Sequence, residues 1–273
     1  MRIGLSSYTY TWAIGVPGFP PPAQPLTAAA LLDRTARSGW GLVQFGDNLP
    51  LHALGEDLIG LVQQAKRLNV AVEVGTRGID TARLRRYADI AVLFGAPFVR
   101  VVIDEGQDRP SPSEVVQRLS EVEPDYRSAG LVLAIENHDR FTVAELVDIV
   151  ERCGDWVGIC LDTVNSFGAL EGPDVVIEAL APHTVNVHLK DFDVLRAEHQ
   201  MGFEIVGRPL GRGRLDAAAV LQRLIGNGRE PTAVIELWTP FADSIETTID
   251  QEAAWADESM DWARSWVRRT GVY

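Results

Sequence analysis

Short apolar runs alternate with amphipathic, helix-like stretches from one end of the chain to the other. Eight short runs, most of them rich in valine and isoleucine, occupy positions 2–5, 42–45, 70–74, 98–103, 132–135, 157–161, 184–189 and 233–237. Runs of this length and composition are typical of parallel strands whose two faces are both buried. The pattern therefore predicts eight strands, each separated from the next by a helical segment.

Several of the intervening stretches begin with residues that start helices. Thr142 and Glu145 have the spacing of a capping box, and Asp80 and Ser113 are predicted N-caps. Pro173 stands where a proline opens a helix, because the first helical residue needs no amide hydrogen for an intrahelical bond. These signals support helices after the third, fourth, fifth and sixth strands.

Eight strand–helix units in a row, with no two adjacent strands that would form a hairpin, predict an α/β fold: a single (β/α)8 TIM barrel. A length of 273 residues is usual for one such barrel, so residues 1–273 are expected to form one domain. The alternative is a doubly wound open sheet, which needs no eighth strand. That fold usually has a glycine-rich turn after its first strand, whereas the sequence here is SSYTYTW, without G-x-G-x-x-G.

Two predicted loops are longer than most connections in a compact domain. Residues 11–27 are rich in proline, and residues 192–214 end in the glycine-punctuated run VGRPLGRGRLD. Both loops follow strands, so in a barrel they lie on the C-terminal face, where catalysis takes place. There they either border a pocket or form plain surface.

The last predicted helix, about 245–269, carries three tryptophans on one face. Trp255, Trp262 and Trp266 are spaced by seven and four residues, which places them on the same side of a helix. This face is expected to pack on the barrel; the alternative is a subunit interface, which would make the protein a homo-oligomer.

Composition narrows the class of protein and of partner. Hydrophobic residues make up 46% of the chain, enough for a large core, and the formal net charge is −13. A strongly acidic surface repels phosphate backbones and anionic membranes, which argues against a nucleic-acid or membrane partner. Cys153 and Cys160, the two cysteines, form neither a disulfide framework nor a cysteine-rich zinc pattern. With no secretion signal and no apolar run near ~20 residues, the protein is predicted to be cytoplasmic.

Four successive predicted strands end in a residue that can bind a cation: Glu136, Asp162, His188 and Glu236. Burying a carboxylate is costly unless a partner compensates its charge, so four such endings in a row indicate one shared site. The first two intervals are 26 residues each, about one strand–helix unit, and the third is 48 because of the long loop. Three carboxylates and one imidazole suit a divalent metal ion. The alternative is a set of buried salt bridges with barrel arginines such as Arg100.

The same strand endings carry a resemblance to a known family. IEN, LDT, HLKD and IELW at the last four strands resemble the xylose-isomerase-like TIM-barrel superfamily, over essentially the whole chain. Within it, the pattern is similar to the sugar phosphate isomerase/epimerase type, which includes ketose 3-epimerases and inosose isomerases and dehydratases. The resemblance implies that Glu136, Asp162, His188 and Glu236 bind one divalent metal ion, Mn, Mg, Co or Zn, with Mn favoured. It also implies that Glu136 and Glu236 flank the substrate as an acid/base pair.

One position departs from the family pattern. Ketose epimerases of this type usually have Asp-x-x-His at the sixth strand, whereas this chain has Asp162-Thr-Val-Asn165. Asparagine offers a hydrogen-bond donor and an acceptor but does not titrate. The difference weakens the case for simple ketose 3-epimerisation and leaves a related enediolate reaction open.

Further polar and aromatic residues near the strand ends are candidates for substrate contacts. Lys190 is a candidate catalytic residue that would neutralise an oxyanion, or else it forms a salt bridge with Asp191 or Glu236. The candidate substrate-binding residues are His138, Asn165, Arg208, Trp12 and Trp238. Weaker candidates, for which plain packing or surface exposure is the alternative, are Glu73, Arg140, Tyr8 and Tyr10.

Four function classes follow from these residues. The first is a metal-dependent isomerase or epimerase of a small keto-sugar or polyol, acting through a metal-stabilised enediolate. The second is a lyase on the same scaffold, either a decarboxylase of an oxo sugar acid or a dehydratase, and Asn165 favours this class. The third is a metal-dependent endonuclease, which the few histidines and the acidic charge disfavour. The fourth is a non-catalytic sugar-binding barrel.

Overall fold

The computed structural model describes residues 1–226 and 230–271 of the chain. Its central feature is a closed barrel of eight parallel strands, which confirms the predicted (β/α)8 fold. These strands are β1 (Ile3–Ser6), β2 (Leu42–Phe45), β3 (Ala71–Arg77), β4 (Phe98–Val102), β5 (Val132–Glu136), β6 (Val157–Asp162), β7 (Thr184–Leu189) and β10 (Thr232–Ile235). Consecutive strands are neighbours, and β10 closes the barrel by pairing with both β7 and β1.

Helices surround the barrel, and at least one follows each strand. They are α1 (Thr11–Ile14), α2 (Ala28–Arg37), α3 (Asp57–Leu68), α4 (Thr81–Phe94), α5 (Pro112–Ser120), α6 (Glu123–Ala129), α7 (Val143–Cys153), α8 (Pro173–Leu180), α9 (Ala217–Ile225) and α10 (Ile245–Thr270). Within the described ranges, no helix combines the length and the apolar character needed to cross a membrane.

The capping residues explain where several helices begin. Asp80 accepts a hydrogen bond from the Arg83 backbone, and Thr142 forms a reciprocal capping box with Glu145, as predicted. The prediction of Ser113 as an N-cap is wrong. Ser111 caps α5, because Pro112 then occupies the first helical position, where its missing amide hydrogen costs nothing.

The barrel has an apolar outside and an unusually polar inside. Successive residues of a strand face opposite sides, so Val43 and Phe45 pack outward against the helices while Gln44 points into the barrel. TIM barrels usually fill their interior with branched apolar side chains. Here Gln44, Glu73 and Asn186 are buried and hydrogen-bonded to one another across the interior. A polar layer therefore lies inside the barrel, in the register below the ends of β5, β6 and β7.

Residues 192–214, predicted as a loop, contain a hairpin. Strand β8 (Asp191–Arg196) pairs antiparallel with β9 (Phe203–Arg208), so the expectation of no hairpin strands is wrong. The two strands pair only with each other. Several of their side chains are exposed, and DFDVLR and FEIVGR therefore lack the continuous apolar character of the barrel strands. The loop 11–27 likewise contains the short helix α1.

One buried carboxylate holds the segment that follows the hairpin. Asp191 accepts hydrogen bonds from the backbone N–H groups of Phe192, Gly211, Gly213 and Leu215, at 2.8–3.0 Å. A carboxylate that satisfies four amide donors orders the chain around it. The glycine-punctuated run is therefore a fixed structure at the base of the hairpin.

Helix α10 lies along the barrel with its tryptophans against the rest of the molecule. Trp266 is buried in the core, and Trp255 and Trp262 are half-buried against it. Trp262 also contacts Gly211, where a β-carbon would lie 2.1 Å from the indole Cδ1. The C-terminal helix is thus in contact with the segment that Asp191 orders.

Candidate active site

The four predicted ligand side chains meet at the carboxyl-terminal mouth of the barrel. Glu136 and Asp162 end β5 and β6, His188 is the next-to-last residue of β7, and Glu236 directly follows β10. His188 Nδ1 lies 3.2 Å from Glu136 Oε2, 3.8 Å from Asp162 Oδ2 and 3.3 Å from Glu236 Oε1. All four side chains are at most 1% exposed. Four strand ends thus bring three carboxylates around one imidazole nitrogen.

Three buried atoms in this cluster have no hydrogen-bond partner. They are Asp162 Oδ2, His188 Nδ1 and Glu236 Oε2. Their residues form a group whose ligand atoms all lie within 4.8 Å of one another, and a second such group consists of Glu136, Cys160 and His188. Buried polar atoms normally have a hydrogen-bond partner. Three neighbouring buried atoms without one therefore fit a cation. Two oxygens and one imidazole nitrogen are a donor set that Mg, Mn, Co and Zn all accept.

Lys190 supplies positive charge at the same point. Its ammonium lies 2.7 Å from Asp162 Oδ2 and 3.0 Å from Glu236 Oε2. These are ion-pair contacts without hydrogen-bond geometry, because neither oxygen has a hydrogen-bond partner. Burial alone would lower the pKa of Lys190, but the charges of Asp162, Glu236 and Glu136 raise it well above its ordinary value. Lys190 therefore stays an ammonium. Of the two salt-bridge partners that the sequence suggested, it pairs with Glu236 and not with Asp191.

Glu136 is held on both oxygens by donors that do not give up their protons. Arg100 Nε donates to Oε2 at 2.5 Å, and the Asn165 amide donates to Oε1 at 2.8 Å. Arg100 is itself fixed by Asp47, which accepts from Nη1 at 2.6 Å. Burial would raise the pKa of Glu136, but the charges of Arg100 and His188 hold it well below its usual range. Glu136 is therefore a fully ionised carboxylate with two hydrogen-bonded oxygens.

Gly75 provides the space in which Arg100 crosses the barrel. The two residues are partners in the β3–β4 register, and a β-carbon at position 75 would lie 2.9 Å from Arg100 Cδ. Contacts this short are essentially absent from real structures, so any larger residue would displace the arginine side chain. The glycine in VAVEVG is thus part of how the site is built.

Glu236 differs from Glu136 in its surroundings. Its Oε1 accepts a hydrogen bond of 2.8 Å from the Ser6 hydroxyl, and its Oε2 faces Lys190. Burial would raise the pKa of Glu236, but the charges of His188 and Lys190 lower it to about 2. Glu236 is thus ionised, and one of its oxygens is free of hydrogen bonds.

The backbone around Asp162 is fixed by a neighbouring asparagine. Asn137 accepts from the Asp162 N–H at 2.6 Å and donates to the Asp162 carbonyl at 2.8 Å. The Asp162 Oδ1 in turn accepts from the backbone N–H groups of Val164 and Asn165, at 2.8 and 2.9 Å. Asp162 therefore presents only Oδ2 to the centre of the cluster.

The predicted aromatic contacts lie outside this cluster. Trp12 is 7% exposed, donates its indole N–H to the Thr239 carbonyl at 2.7 Å and packs between Phe19 and Phe241. Trp238 is 36% exposed and lies against Gly207 of β9, where a β-carbon would be 1.6 Å from the indole Cδ1. Trp238 thus connects the end of β10 to the hairpin, while Trp12 is a packing residue.

The predicted polar substrate contacts are placed in different ways. Of these residues, Asn165 reaches the cluster, through its bond to Glu136. His138 Nδ1 lies against the carboxylate of its neighbour Asp139, and Arg208 lies at the end of the hairpin, 3.7 Å from Asp193. Arg140 is occupied by Asp104 through two hydrogen bonds of 2.6 and 2.8 Å. None of these three has a recorded contact with the four candidate ligands in the part of the chain that the structure describes.

Two tyrosines that follow β1 occupy different environments. Tyr8 is half-buried at the mouth, where its ring lies over Gly46, and burial raises the pKa of its hydroxyl to about 12. Tyr10 is buried, and the Arg34 guanidinium lies 4.5 Å from its ring centre. Tyr8 is therefore at the site, and Tyr10 packs against α2.

The weaker candidate Glu73 is inside the barrel and not at its mouth. It faces inward, as the alternation of the strand predicts, but β3 continues to Arg77 and leaves Glu73 one layer down. Sequence reasoning missed Ser6, Gln44 and Asn137 as parts of the site. The available signal for Gln44 is a single amide between apolar residues in LVQF, at an inward position of a buried strand.

Comparisons with known proteins agree with this architecture. Residues 48–266 match the protein family described as xylose isomerase-like TIM barrel. The chain is 35% identical over 266 residues to the 3-oxo-isoapionate decarboxylase of Pectobacterium atrosepticum, covering 96% of this chain and 94% of that protein.

Two solved structures share the fold at low identity. A xylose isomerase-like TIM barrel protein from Mycobacterium smegmatis, in complex with magnesium, superposes with a TM-score of 0.68 at 16% identity, over 95% of this chain and 97% of its own. A D-psicose 3-epimerase from Clostridium cellulolyticum H10, solved with D-tagatose, has a TM-score of 0.69 at 14% identity, over 98% and 99% of the two chains. The family resemblance predicted from the strand endings is confirmed, and the chain belongs to the xylose isomerase-like TIM barrel family.

Proposed function

We propose that this protein is a divalent-metal-dependent lyase that decarboxylates a small oxo sugar acid. The proposal rests on one observation: both oxygens of Glu136 accept hydrogen bonds, one from Arg100 and one from Asn165. An epimerase that works with two acid/base carboxylates needs both of them free to exchange protons with carbon. A decarboxylase needs only one such carboxylate. Its first step breaks a carbon–carbon bond and releases carbon dioxide, so no base has to remove a proton from carbon. The identity to a 3-oxo-isoapionate decarboxylase supports the same reaction class.

Asp162, His188 and Glu236 are the proposed ligands of the metal ion, with Glu136 as the fourth. The first three present unpaired buried atoms to one point, and Glu136 Oε2 lies 3.2 Å from His188 Nδ1. A divalent ion bound there would supply a Lewis acid for the carbonyl oxygen that gains negative charge when the carbon–carbon bond breaks. Magnesium and manganese suit the oxygen-rich donor set, and the magnesium complex of a protein with this fold is consistent with them.

The protein side chains have distinct proposed tasks in this reaction. The Lys190 ammonium attracts the anionic substrate and stabilises the enolate charge that forms as the bond electrons move to the carbonyl oxygen. Carbon dioxide leaves, and the carbon that carried it takes up a solvent proton. Glu236 is the proposed carrier of that proton, because the hydrogen bonds from Arg100 and Asn165 occupy both oxygens of the other glutamate, Glu136. The Tyr8 hydroxyl stays protonated, since its pKa is about 12, and is available to bind a substrate oxygen.

Isomerisation or epimerisation of a keto-sugar is the second candidate function. Glu136 and Glu236 lie 3.2 and 3.3 Å from the same imidazole nitrogen, which places a carboxylate on either side of it. This arrangement supports the acid/base pair that the family resemblance implies. The reaction would require Glu136 to accept a proton from carbon while Arg100 and Asn165 still bind both of its oxygens.

The test is carbon dioxide release from substrate labelled with ¹³C in its carboxylate. The protein is stripped with a chelator, reloaded with Mg²⁺ or Mn²⁺, and incubated in D₂O with 3-oxo sugar acids, including 3-oxo-isoapionate. We expect labelled carbon dioxide only from the metal-loaded protein, and one deuterium per molecule of product. Release that continues without metal would contradict the metal site. Absence of release from every acid, together with C–H exchange in keto-sugars without a carboxylate, would replace the decarboxylase with the isomerase.

A further inference from the structure

The nitrogen of His188 that faces away from the cluster has a hydrogen-bond partner in the barrel interior. His188 Nε2 lies 2.7 Å from Gln44 Oε1, and both side chains are at most 1% exposed. Gln44 is on β2, across the barrel interior from β7. The contact therefore links the imidazole to the polar layer beneath the site.

The surroundings of Gln44 determine which way its amide points. Its Nε2 lies 3.1 Å from Glu73 Oε2 and 3.0 Å from Asn186 Oδ1, and both of these atoms are acceptors. The NH₂ group must therefore face Glu73 and Asn186, which leaves the carbonyl oxygen facing His188. A carbonyl oxygen only accepts, so the hydrogen in this contact belongs to His188 Nε2.

Asn186 is held in its own orientation by independent contacts. Its Nδ2 donates to Thr232 Oγ1 at 2.8 Å and to Glu73 Oε2 at 3.2 Å. Its Oδ1 accepts from Gln44 and from the Cys160 thiol, the latter at 3.2 Å. Turning the Gln44 amide over would set its oxygen against the oxygens of Glu73 and Asn186, and turning the Asn186 amide over would set its NH₂ group against that of Gln44. The hydrogen bonds therefore run in one direction, from His188 through Gln44 to the Glu73 carboxylate.

We propose that Gln44 is a positioning residue for the metal centre: by accepting the Nε2 hydrogen it holds the imidazole with Nδ1 facing Asp162 and Glu236, as a metal ligand at that point requires. This inference rests on the metal site of the proposed function and adds to it the layer that orients its imidazole. Residues that hydrogen-bond a metal-binding histidine typically change metal affinity 10–100-fold when they are lost. Glu73 and Asn186 act one step further out, since they fix the amide of Gln44.

The experiment compares metal affinity in variants that break and then rebuild this chain of hydrogen bonds. Gln44→Met keeps the length of the side chain but has no oxygen to accept from His188. We expect its dissociation constant for Mn²⁺, measured from the free-ion electron paramagnetic resonance signal, to rise 10–100-fold. The double exchange Gln44→Glu with Glu73→Gln keeps the net charge and the acceptor for His188. The Asn186 amide can then turn over, so that its NH₂ group faces the new carboxylate and its oxygen faces the new amide. We expect this variant to bind Mn²⁺ at least as tightly as the wild type.

A matched control separates positioning from general damage to the barrel. Thr184 is buried on β7 and donates its hydroxyl to the Leu180 carbonyl at 2.8 Å, away from the cluster. Thr184→Val should lower the melting temperature and leave the Mn²⁺ affinity unchanged.

The outcomes distinguish this inference from the proposed function. Wild-type affinity in folded Gln44→Met, or a tenfold loss of affinity in the double exchange, would overturn the role of Gln44 while leaving the metal site in place. If Gln44→Met does not fold, the Mn²⁺ affinity of the double exchange alone decides: wild-type affinity supports the role of Gln44, and a tenfold loss overturns it. Failure of the wild-type protein to bind Mn²⁺ at all would instead remove the metal centre and the proposed function with it.

Discussion

Lys190 and a metal ion would compete for the same two oxygens. The ammonium lies within 3.0 Å of both Asp162 Oδ2 and Glu236 Oε2, which are among the unpaired atoms of the cluster. One positive charge from the chain thus compensates two buried carboxylates. Without that charge, the carboxylates would remain buried and uncompensated, which costs several kcal/mol.

We therefore predict that Lys190→Met destabilises the metal-free protein and makes it more responsive to metal. Removing one partner of a buried ion pair costs about 3–5 kcal/mol, so the melting temperature should fall. Added Mn²⁺ should then raise the melting temperature by more than it does in the wild type, because no ammonium competes for the oxygens. Differential scanning calorimetry with and without Mn²⁺ measures both effects. An equal metal-induced shift in the two proteins would contradict the competition, and Lys66→Met on the surface serves as the control.

At the scale of single residues, the sequence identifies charged groups better than their neutral partners. A carboxylate or histidine at the end of an apolar strand is conspicuous, and all four such residues meet in the structure. Gln44 and Ser6 are ordinary polar residues whose importance arises only from the partners that the fold brings to them. Trp12 shows the converse difficulty, because an aromatic residue after a strand is equally consistent with a substrate contact and with the packing seen against Phe19 and Phe241.

At the scale of elements, the hairpin depends on a single carboxylate for its attachment. Asp191 begins β8 and accepts four backbone hydrogen bonds, three of them from residues 211–215. Trp238, beyond the end of β10, lies against Gly207 on the other strand of the hairpin. The segment from 191 to 215 is thus attached to the mouth of the barrel at its base, whereas Met201 and Phe203 near its tip are exposed.

We predict that Asp191→Asn loosens this segment. An amide in place of the carboxylate turns an NH₂ group toward backbone donors, so buried N–H groups lose their acceptor at a cost of about 3 kcal/mol in total. Hydrogen exchange measured by mass spectrometry should become faster in residues 209–215, and substrate KM should rise. Asp148→Asn on α7 is the control, since Asp148 pairs with the exposed Arg152 side chain of the same helix and, among the described residues, has no hydrogen bond or ion pair with residues 209–215. Unchanged exchange in residues 209–215 would contradict the anchoring role.

The hairpin also shows where element prediction from sequence fails. Barrel strands are buried on both faces and form continuous apolar runs, which is why all eight are recognisable. Strands β8 and β9 pair only with each other, so their sequences mix exposed and buried positions and resemble a loop. Capping residues are predictable when the helix start is unambiguous, as at Asp80, and fail by two residues where Ser111-Pro-Ser113 offers two serines.

At the scale of the whole molecule, two buried glutamates make stability depend on pH. Burial raises the pKa of Glu73 and of Glu252 from 4.5 to about 7. An acid whose pKa is higher in the folded state stabilises that state while it is protonated, below about pH 4.5. This contribution is lost as the pH rises through about 7. Glu136 and Glu236, with lowered pKa values, act in the opposite direction at lower pH.

We predict that Glu73→Gln flattens the fall in unfolding free energy between pH 5 and pH 7. A rise in the pKa of Glu73 from 4.5 to about 7 corresponds to a loss of at most about 3 kcal/mol of unfolding free energy as the pH increases. An uncharged amide of the same shape does not titrate, so the variant would not show this loss. Urea denaturation at pH 5, 6, 7 and 8 measures the slope for both proteins. Glu151→Gln, on the surface of α7, is the control. Parallel curves for wild type and Glu73→Gln would contradict the raised pKa, because they would show that Glu73 is already ionised at pH 5.

The overall architecture is the part of this protein that its sequence predicts best. Each barrel strand is recognisable from its own short apolar run. Because successive parallel strands usually pair as neighbours, eight such runs predict one closed barrel. The strong negative charge argues against an endonuclease, and the candidate metal-ligand groups among the described residues contain His188 and no second histidine. The choice between lyase and isomerase depends on the Arg100–Glu136 contact. The sequence offers Arg100 as a salt-bridge partner but does not show which of the carboxylates it binds.

The closure of the barrel has a consequence for protein synthesis. The Ser6 hydroxyl binds Glu236 across 230 residues of sequence, and β1 pairs with β10. A growing chain on the ribosome therefore holds Glu136, Asp162 and His188 long before the last proposed ligand is made. The proposed cation site would be complete only when translation has passed residue 236 and the first strand has paired with the last. Occupancy of that site would thus mark chains whose last barrel strand has been made and has folded.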